Sequence, residues 1–218
     1  MDRRTIHNLI IPAEGYAEIM ESAVLPYLAE RKTERYCERE QGKKIFYLRC
    51  LADQPQGIVI LSHGYTETAD KHLENIYYFL RGGYHVFMPE HCGHGRSYRL
   101  CRDTGDLSLV HIDDYQRYVD DLLFVSRLAA QEFPELPIRL YGHSMGGGIA
   151  ACAAAQEPRI FQAEYETYVS KKDQERFVKK LCRRKNIDAK LIRVKGSRHE
   201  IFNSDNKILE SYWQKILS

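Results

Sequence analysis

The segment Gly142-His143-Ser144-Met145-Gly146 has the spacing G-x-S-x-G, which can present a serine hydroxyl as a nucleophile. A hydroxyl becomes reactive only when an adjacent base removes its proton, so the serine must project clear of the backbone. The flanking glycines permit the tight strand-to-helix turn that achieves this. Because a predicted strand precedes the segment and a predicted helix follows it, we interpret Ser144 as a candidate nucleophile for acyl transfer. An ordinary glycine-rich turn is the alternative.

His199 is the candidate base, because it lies in the segment KGSRHEIFN directly after the last predicted strand. A base of this kind needs a third group that orients it. Three acids lie near the end of the preceding strand, namely Glu164, Glu166 and Asp173. Glu166 is nearest to that end, so we predict that it orients His199. A solvated loop carboxylate is the alternative.

Acyl transfer also needs two N–H donors that point at the developing negative charge. The backbone N–H of Met145, at the start of the helix after Ser144, is the first candidate. The second is the N–H of Tyr65 in the segment SHGYTET, where Gly64 allows the backbone to turn inward. The alternative for this segment is a plain turn.

Strands and helices alternate along most of the chain, and their order decides where these residues lie. Apolar runs and periodicity predict strands at 44–50, 57–63, 84–90, 137–143, 159–165 and 189–195, and helices at 15–31, 71–81, 113–133, 145–156, 171–185 and 205–217. Such alternation predicts an α/β fold with a mainly parallel, doubly wound sheet. The candidate residues fall near the carboxyl ends of the strands, where such folds collect their chemistry.

The bulk properties are those of a soluble globular protein. With 218 residues, we predict a single domain over residues 1–218 that begins with a helical segment at 1–33. A net charge of +2 gives no reason to expect a nucleic-acid partner. No apolar run suits a membrane span, and the first residues do not resemble a signal peptide. Six cysteines without CxxC spacing then indicate reduced thiols and a cytoplasmic location.

Taken together, five segments resemble the α/β-hydrolase superfamily, specifically its lysophospholipase and monoacylglycerol lipase (serine aminopeptidase S33-like) branch. They are LSHGYTETADKH, PEHCGHGRSYR, YGHSMGGGIA, QAEYETYVSKKDQERF and GSRHEIFNSDN, and the resemblance extends over residues 35–217. It implies hydrolysis of carboxylic esters of lysophospholipids or monoacylglycerols through an acyl-enzyme. It further implies Ser144 as nucleophile, His199 as base and Glu166 as orienting acid, with neither a cofactor nor a metal.

Two features depart from the pattern of that family. Glutamate stands at positions 90 and 166, where the family generally has aspartate. Glu166 also follows Ser144 by only 22 positions, which leaves room for one helix and one strand but not for a helical lid. We therefore expect a core that lacks the lid and one core strand. The strand at 159–165 must either pair directly with the strand at 137–143 or leave a gap in the sheet, and we expect direct pairing because a gap would expose unpaired backbone groups. An uncovered cleft would favour weak activity and a homodimer.

Three other interpretations remain. The main rival function is a non-catalytic scaffold or binding protein, left after loss of the lid. The segment HCGHG (91–95) fits a turn better than a zinc site, because no fourth ligand is evident. The basic segment 171–185 fits a solvated helix face better than weak peripheral contact with the inner face of a membrane. From the family resemblance, we expect the binding partner to be a small lipid or ester substrate.

Overall fold

The computed structural model describes residues 3–101, 106, 108–154, 159–185 and 190–217. Seven strands lie within this part of the chain: β1 (Lys32–Glu40), β2 (Lys43–Cys50), β3 (Gly57–Ser62), β4 (Tyr84–Pro89), β5 (Ile138–Gly142), β6 (Arg159–Tyr165) and β7 (Lys190–Arg198). The α-helices described there are α1 (Arg3–Leu9), α2 (Tyr16–Ile19), α3 (Leu25–Ala29), α4 (Leu73–Arg81), α5 (Gln116–Glu132), α6 (Met145–Ala153), α7 (Lys171–Lys185) and α8 (Asn206–Leu217). A π-helical turn (Met20–Val24) joins α2 to α3, and short 3₁₀ turns cover Ala69–His72 and Ile201–Asn203.

The chain clusters into two compact units, one formed by residues 18–153 and the other by residues 1–17 together with 154–218. The single-domain organisation that the sequence suggests stays a prediction.

The unit of residues 18–153 contains a five-stranded sheet with the order β1-β2-β4-β3-β5. The pairs β1–β2 and β2–β4 are antiparallel, whereas β3 is parallel to both β4 and β5. Side chains on alternate positions of β3 face opposite sides of the sheet, and all six of its residues are buried. A continuous apolar run of this kind is expected for a strand that is covered on both faces.

One face of this sheet is covered by α5 and α6, and the core there is a single apolar cluster. Its buried members are Ile45, Ile58, Ile60, Phe87, Cys92, Tyr98, Tyr118, Val119, Leu122, Val125, Ala129, Ile149 and Ala150. The positions that α5 contributes recur at helical spacing, so that one stripe of the helix is buried. This packing holds the start of α6, and thus the residue before it, against a rigid sheet.

The strand β1 is not among the strands that the sequence predicts. Its side chains are mostly charged and half-exposed or exposed, so that the apolar signal of a strand is missing. It nevertheless pairs with β2 along most of its length, through a hairpin in which Gly42 has a φ of +71°. Charged residues on an edge strand hinder pairing with other chains, which explains this composition.

In the other unit, β6 and β7 form a parallel two-stranded sheet, with α7 as the connection between them. Helix α8 packs against β7, and its inner side chains Leu209, Tyr212, Trp213 and Leu217 are buried. The ring of Tyr212 also contacts that of Phe161 edge-on, with 5.1 Å between the centroids. The helix α1 packs against α8.

The α/β class is confirmed, but one expectation about strand pairing is wrong. The strand at 159–165 was expected to pair directly with the strand at 137–143. Among the described residues, β6 instead pairs with β7, and β5 pairs with β3. The crossover through α7 returns the chain beside β6, and sequential strands joined in this way commonly become neighbours. No helix among the described residues has the length and apolar character needed to cross a membrane.

Candidate active site

Ser144 occupies a strained turn between the end of β5 and the start of α6. Its φ is +51°, in the left-handed region that side chains other than glycine rarely adopt. The helix begins at once, because the N–H of Gly147 donates to the carbonyl of Ser144 at 3.0 Å. Strain of this kind commonly accompanies a functional position, and the serine that bears it here is half-buried.

Two glycines allow the backbone around Ser144 to pack this tightly. A Cβ on Gly146 would lie 2.5 Å from the carbonyl oxygen of His63 and closer still to that of Ser62. A Cβ on Gly142 would lie 2.5 Å from the carbonyl carbon of Gly146. The first turn of α6 therefore lies directly against the end of β3, which only a residue without a side chain permits.

The ends of β3 and β5 are adjacent, which brings the loop after β3 beside the serine turn. Ser62 is the register partner of Gly142, and the N–H of His143 donates to the carbonyl of Ser62 at 3.0 Å. Met145 is the first residue of α6, so its N–H is one of those that a helix leaves without an internal partner. Tyr65 lies in the adjoining loop with 57% of its surface exposed. Both predicted donors thus belong to neighbouring segments of one unit.

His199 and Glu166 are in direct contact in the other unit. The Nδ1 atom of His199 lies 2.8 Å from both carboxylate oxygens of Glu166, and only 3% of the glutamate side chain is exposed. The N–H groups of Tyr168 and Val169 also donate to this carboxylate, at 2.9 and 3.2 Å. Burial raises the pKa of Glu166, but the hydrogen bonds from His199 and the two amides outweigh it, so the pKa is lowered overall. The carboxylate is therefore charged at neutral pH and can stabilise a protonated imidazole.

The two other acids considered from the sequence have different partners. Oε2 of Glu164 accepts the N–H of Gly196 at 2.7 Å. Asp173 lies in the first turn of α7, where its carboxylate forms an exposed ion pair with Arg176 at 3.0 Å. Of the three candidates, Glu166 is the one that the structure brings to His199.

Glu90 has a structural position at the end of β4, where its side chain is fully buried. Its Oε1 accepts the N–H of Ala69 at 3.1 Å, and Oε2 accepts the N–H of Arg96 at 2.6 Å. The guanidinium of Arg96 completes the ion pair at 2.8 Å. Both carboxylate oxygens of Glu90 therefore have hydrogen-bond partners, and the side chain joins two loops although glutamate replaces the usual aspartate here.

The histidines of the segment HCGHG lie in a buried cluster with His63. The backbone N–H of His91 donates to Nε2 of His63 at 2.9 Å, and Nδ1 of His63 lies 2.7 Å from the carbonyl of Gly64. This arrangement requires a neutral His63 ring, and burial lowers its pKa to about 4. His91 contacts Ser62 through its ring, and Nδ1 of His94 lies 3.0 Å from the carbonyl of Cys92. These contacts serve to fix the turn.

Sequence reasoning missed a second cluster, formed by Glu67, His72 and His143. One ligand atom from each lies within 4.8 Å of the others, and together they could hold a divalent metal ion. However, the ring nitrogens of both histidines are already at hydrogen-bond distance from Oε2 of Glu67, at 2.9 and 3.2 Å. We therefore interpret the cluster as a hydrogen-bonded carboxylate. Its signal in the sequence is a glutamate three residues after Gly64, in the loop already singled out.

A mixed sheet, a strained serine turn between a strand and a helix, and an acid–histidine pair that is half-buried are each typical of an α/β-hydrolase. The family model of serine aminopeptidase, S33, matches residues 53–164, which is half of the chain, and the chain belongs to this family. Among solved structures, the fold is similar to that of a carboxyl esterase from Bacillus coagulans, with a TM-score of 0.68 and 14% identity. That match covers 86% of this chain and 97% of the esterase.

Two curated relatives are similar in sequence. A monoacylglycerol lipase of Mycolicibacterium smegmatis is 36% identical over 109 residues, which is 50% of this chain and 36% of the relative. Lysophospholipase L2 of Escherichia coli is 30% identical over 117 residues, which is 54% of this chain and 34% of the relative. The chain thus spans little more than a third of the length of these relatives.

Proposed function

We propose that the chain is a serine hydrolase that cleaves a carboxylic ester of a monoacylglycerol or a lysophospholipid through an acyl-enzyme intermediate. In this proposal Ser144, His199 and Glu166 act as one catalytic triad. The backbone N–H groups of Tyr65 and Met145 stabilise the oxyanion.

The contact between His199 and Glu166 supports one direction of proton transfer in this proposal. Because Nδ1 faces the carboxylate, Nε2 is the nitrogen that takes the proton of Ser144. The serine oxygen then bonds to the ester carbon, and the carbonyl electrons move to oxygen, where the two N–H donors stabilise the charge. As the C–O bond to the alcohol breaks, the imidazolium returns its proton to the leaving alkoxide. Water repeats the sequence and releases the fatty acid.

The observation that carries this proposal is the conformation of Ser144. A serine with a φ of +51° between a strand and a helix is costly, by about 1–3 kcal/mol, and is retained where the surrounding structure imposes it. An inert turn at this position would be free to use glycine. The names of the two relatives support the ester class, and the family membership supports a serine nucleophile.

The names of the two relatives support the proposed substrate class, since both names refer to single-chain lipids. We further propose that no helical lid is inserted here, because Glu166 follows Ser144 by only 22 positions. A site without such a cover would hold the acyl chain over a smaller apolar surface, so we expect weak discrimination between chain lengths.

Labelling with a fluorophosphonate probe tests the nucleophile. The intact chain is expected to react, whereas Ser144→Ala is expected to lose all labelling. Ser22→Ala is the matched control, because it removes the same hydroxyl from an exposed serine that donates to the carbonyl of Glu18, one turn earlier, at 2.7 Å. Labelling that survives in Ser144→Ala would exclude the proposed nucleophile.

Turnover assays separate the competing functions. Hydrolysis of p-nitrophenyl butyrate, 1-monooleoylglycerol and lysophosphatidylcholine measures the ester activity, and an amino-acid p-nitroanilide measures the aminopeptidase activity that the family description suggests. We expect turnover of the esters to depend on Ser144. Faster turnover of the anilide would favour a peptidase, and no serine-dependent turnover of any substrate would favour a non-catalytic scaffold.

A further inference from the structure

Glu67 lies at the centre of a hydrogen-bond network in the loop after β3. Its side chain is 8% exposed, and its Oε2 accepts the backbone N–H of Gly64 at 2.7 Å. The same oxygen lies 2.9 Å from Nε2 of His72 and 3.2 Å from Nδ1 of His143. The ammonium group of Lys71 pairs with Oε1 at 2.8 Å. One carboxylate therefore contacts the loop, the 3₁₀ turn and the residue before Ser144.

Two of these partners flank the proposed oxyanion donors. Gly64 directly precedes Tyr65 in the chain, and His143 lies two residues before Met145. A shift of Glu67 would thus move the segment that carries one donor relative to the segment that carries the other. Glu67 is thus bonded both to the loop, through Gly64, and to the serine turn, through His143.

We propose that Glu67 is a positioning residue, which holds the loop of Tyr65 and the turn of Ser144 at the separation that an oxyanion hole requires. This inference rests on the proposed ester hydrolysis and adds to it a side chain that does not touch the substrate. Stabilisation of an oxyanion depends on donors that are already in place when the charge develops. A carboxylate that joins both segments provides such preorganisation.

The tautomer of His72 supports this arrangement. The amide group of Asn75 lies 3.1 Å from Nδ1 of His72, and both side chains are buried. When the amide NH₂ donates to Nδ1, the neutral ring carries its hydrogen on Nε2 and donates it to Glu67. Burial also lowers the pKa of His72, in keeping with a neutral ring. The chain of contacts thus continues from the loop into α4, which is a rigid element.

The charge on Glu67 strengthens each of these hydrogen bonds. Burial raises the pKa of Glu67, but hydrogen bonds from His143, His72 and Lys71 lower it far more, so the group is ionised at neutral pH. Hydrogen bonds to an ionised acceptor are roughly twice as strong as those between neutral groups. The ammonium of Lys71 balances the buried charge, so the network does not leave an unpaired carboxylate.

The backbone of the loop is built around this carboxylate. A Cβ on Gly64 would lie 2.9 Å from Oε2 of Glu67 and 3.1 Å from Nδ1 of His143, so the glycine makes room for both side chains. Thr66, between Tyr65 and Glu67, has a φ of +60°. A left-handed threonine is unfavourable in itself, so contacts such as that of Glu67 must hold the loop in this shape.

Substitution of Glu67 by glutamine tests the inference. Glu67→Gln keeps the size of the side chain but removes its charge. It also replaces one acceptor oxygen by an NH₂ group, which cannot accept the hydrogen bonds that Glu67 receives. For p-nitrophenyl butyrate we expect kcat to fall at least about 10-fold, short of the 10²–10³-fold reported for complete loss of an oxyanion donor. KM should change less than about threefold, because the residue does not touch the substrate.

A trifluoromethyl ketone provides a readout that a merely structural role would not move. The hydroxyl of Ser144 adds to its carbonyl, the proton passes to His199, and the ketone oxygen becomes an oxyanion in the same hole. In Glu67→Gln its inhibition constant should rise by the same factor by which kcat/KM falls. Far-UV circular dichroism and the urea midpoint of each variant report whether the fold is retained.

Matched variants separate this role from general damage. Glu74→Gln makes the same chemical change on α4, where the carboxylate accepts the hydroxyl of Tyr78, and should leave kcat within twofold. His143→Leu removes the hydrogen bond between Glu67 and the serine turn. His143→Asn keeps an N–H near the position of Nδ1, so its kcat should fall less than that of His143→Leu. The effects of Glu67→Gln and His143→Leu should not add in the double variant, because both break the same contact.

Each outcome decides the matter. A folded Glu67→Gln chain with kcat and ketone inhibition within threefold of the intact chain overturns the inference, while labelling of Ser144 shows that the proposed function stands. If Glu67→Gln does not fold, equal losses in His143→Leu and His143→Asn overturn it instead. If the intact chain shows no labelling that depends on Ser144, the proposed function fails and this inference fails with it.

Discussion

The substitution Gly146→Ala should reveal how closely the first turn of α6 approaches the end of β3. The new methyl group would lie 2.5 Å from the carbonyl oxygen of His63 and closer to that of Ser62. Both contacts are with backbone, which cannot rotate away as a side chain can. Since Cβ atoms are essentially never found within 3.0 Å of such atoms, the helix or the strand end must move by at least about 0.5 Å.

The cost of this movement can be compared with the gain in helix propensity. Overpacking in a dense core costs about 1–3 kcal/mol, and a contact this short belongs at the upper end. Alanine gains about 1 kcal/mol over glycine inside a helix. We therefore expect the free energy of unfolding to fall by about 2 kcal/mol, which lowers the urea midpoint by about 1 M if m is about 2 kcal/mol/M.

Gly148→Ala is the matched control on the same helix. Its Cβ would lie 3.4 Å from the hydroxyl of Tyr115, an ordinary contact, so the propensity gain should remain and raise stability by up to about 1 kcal/mol. Urea unfolding followed by circular dichroism at 222 nm measures both variants. Equal midpoints for Gly146→Ala and Gly148→Ala would refute the packing argument.

The same displacement should affect catalysis in the folded Gly146→Ala chain. Gly146 directly follows Met145, and His63 leads into the loop of Tyr65, so the clash pushes the two proposed donors apart. A misplacement of about 1 Å can cost about 10²-fold in rate. Hydrolysis of p-nitrophenyl butyrate in the absence of urea should show this loss, and Gly148→Ala should not.

Two further predictions concern ionisable groups. Glu166→Gln should lower kcat by about 10³–10⁴-fold, as for other triads that lose the orienting charge, whereas Glu164→Gln should stay within threefold; a reversed order would assign the acid to Glu164. The folded pKa of His63 is about 4 against an ordinary 6.5, so between those values the unfolded chain binds the proton and the folded chain does not. The free energy of unfolding should therefore decrease as the pH is lowered, and His63 should account for about 2 kcal/mol of the decrease between pH 7 and pH 5. Equal urea midpoints at pH 7 and pH 5 would contradict this.

The candidate catalytic side chains were accessible to sequence reasoning because each belongs to a local pattern. The glycine spacing around Ser144 reflects the steric needs of one turn, and His199 follows directly after a strand. Choosing Glu166 over Glu164 and Asp173 required only the position of the strand end. The contact with His199 agrees with that choice, although the roles of these residues stay predictions until activity is measured.

Features that depend on contacts between distant segments were not accessible in this way. The strand β1 carries charged side chains because it lies at a sheet edge, and only its pairing with β2 identifies it as a strand. The pairing of β6 with β7 likewise depends on how α7 returns the chain, and length alone suggested a different neighbour. Glu67 was missed because its partner His143 lies 76 positions away.

The sequence by itself determined the α/β class and the candidate nucleophile, base and acid, since alternating strands and helices and the motifs between them are local properties of the chain. Tertiary structure decided which strands are neighbours, which carboxylate contacts His199, and that one buried glutamate joins two loops. The physical reason is that burial and hydrogen bonding depend on the atoms packed around a side chain. Those atoms come from residues far away in the sequence.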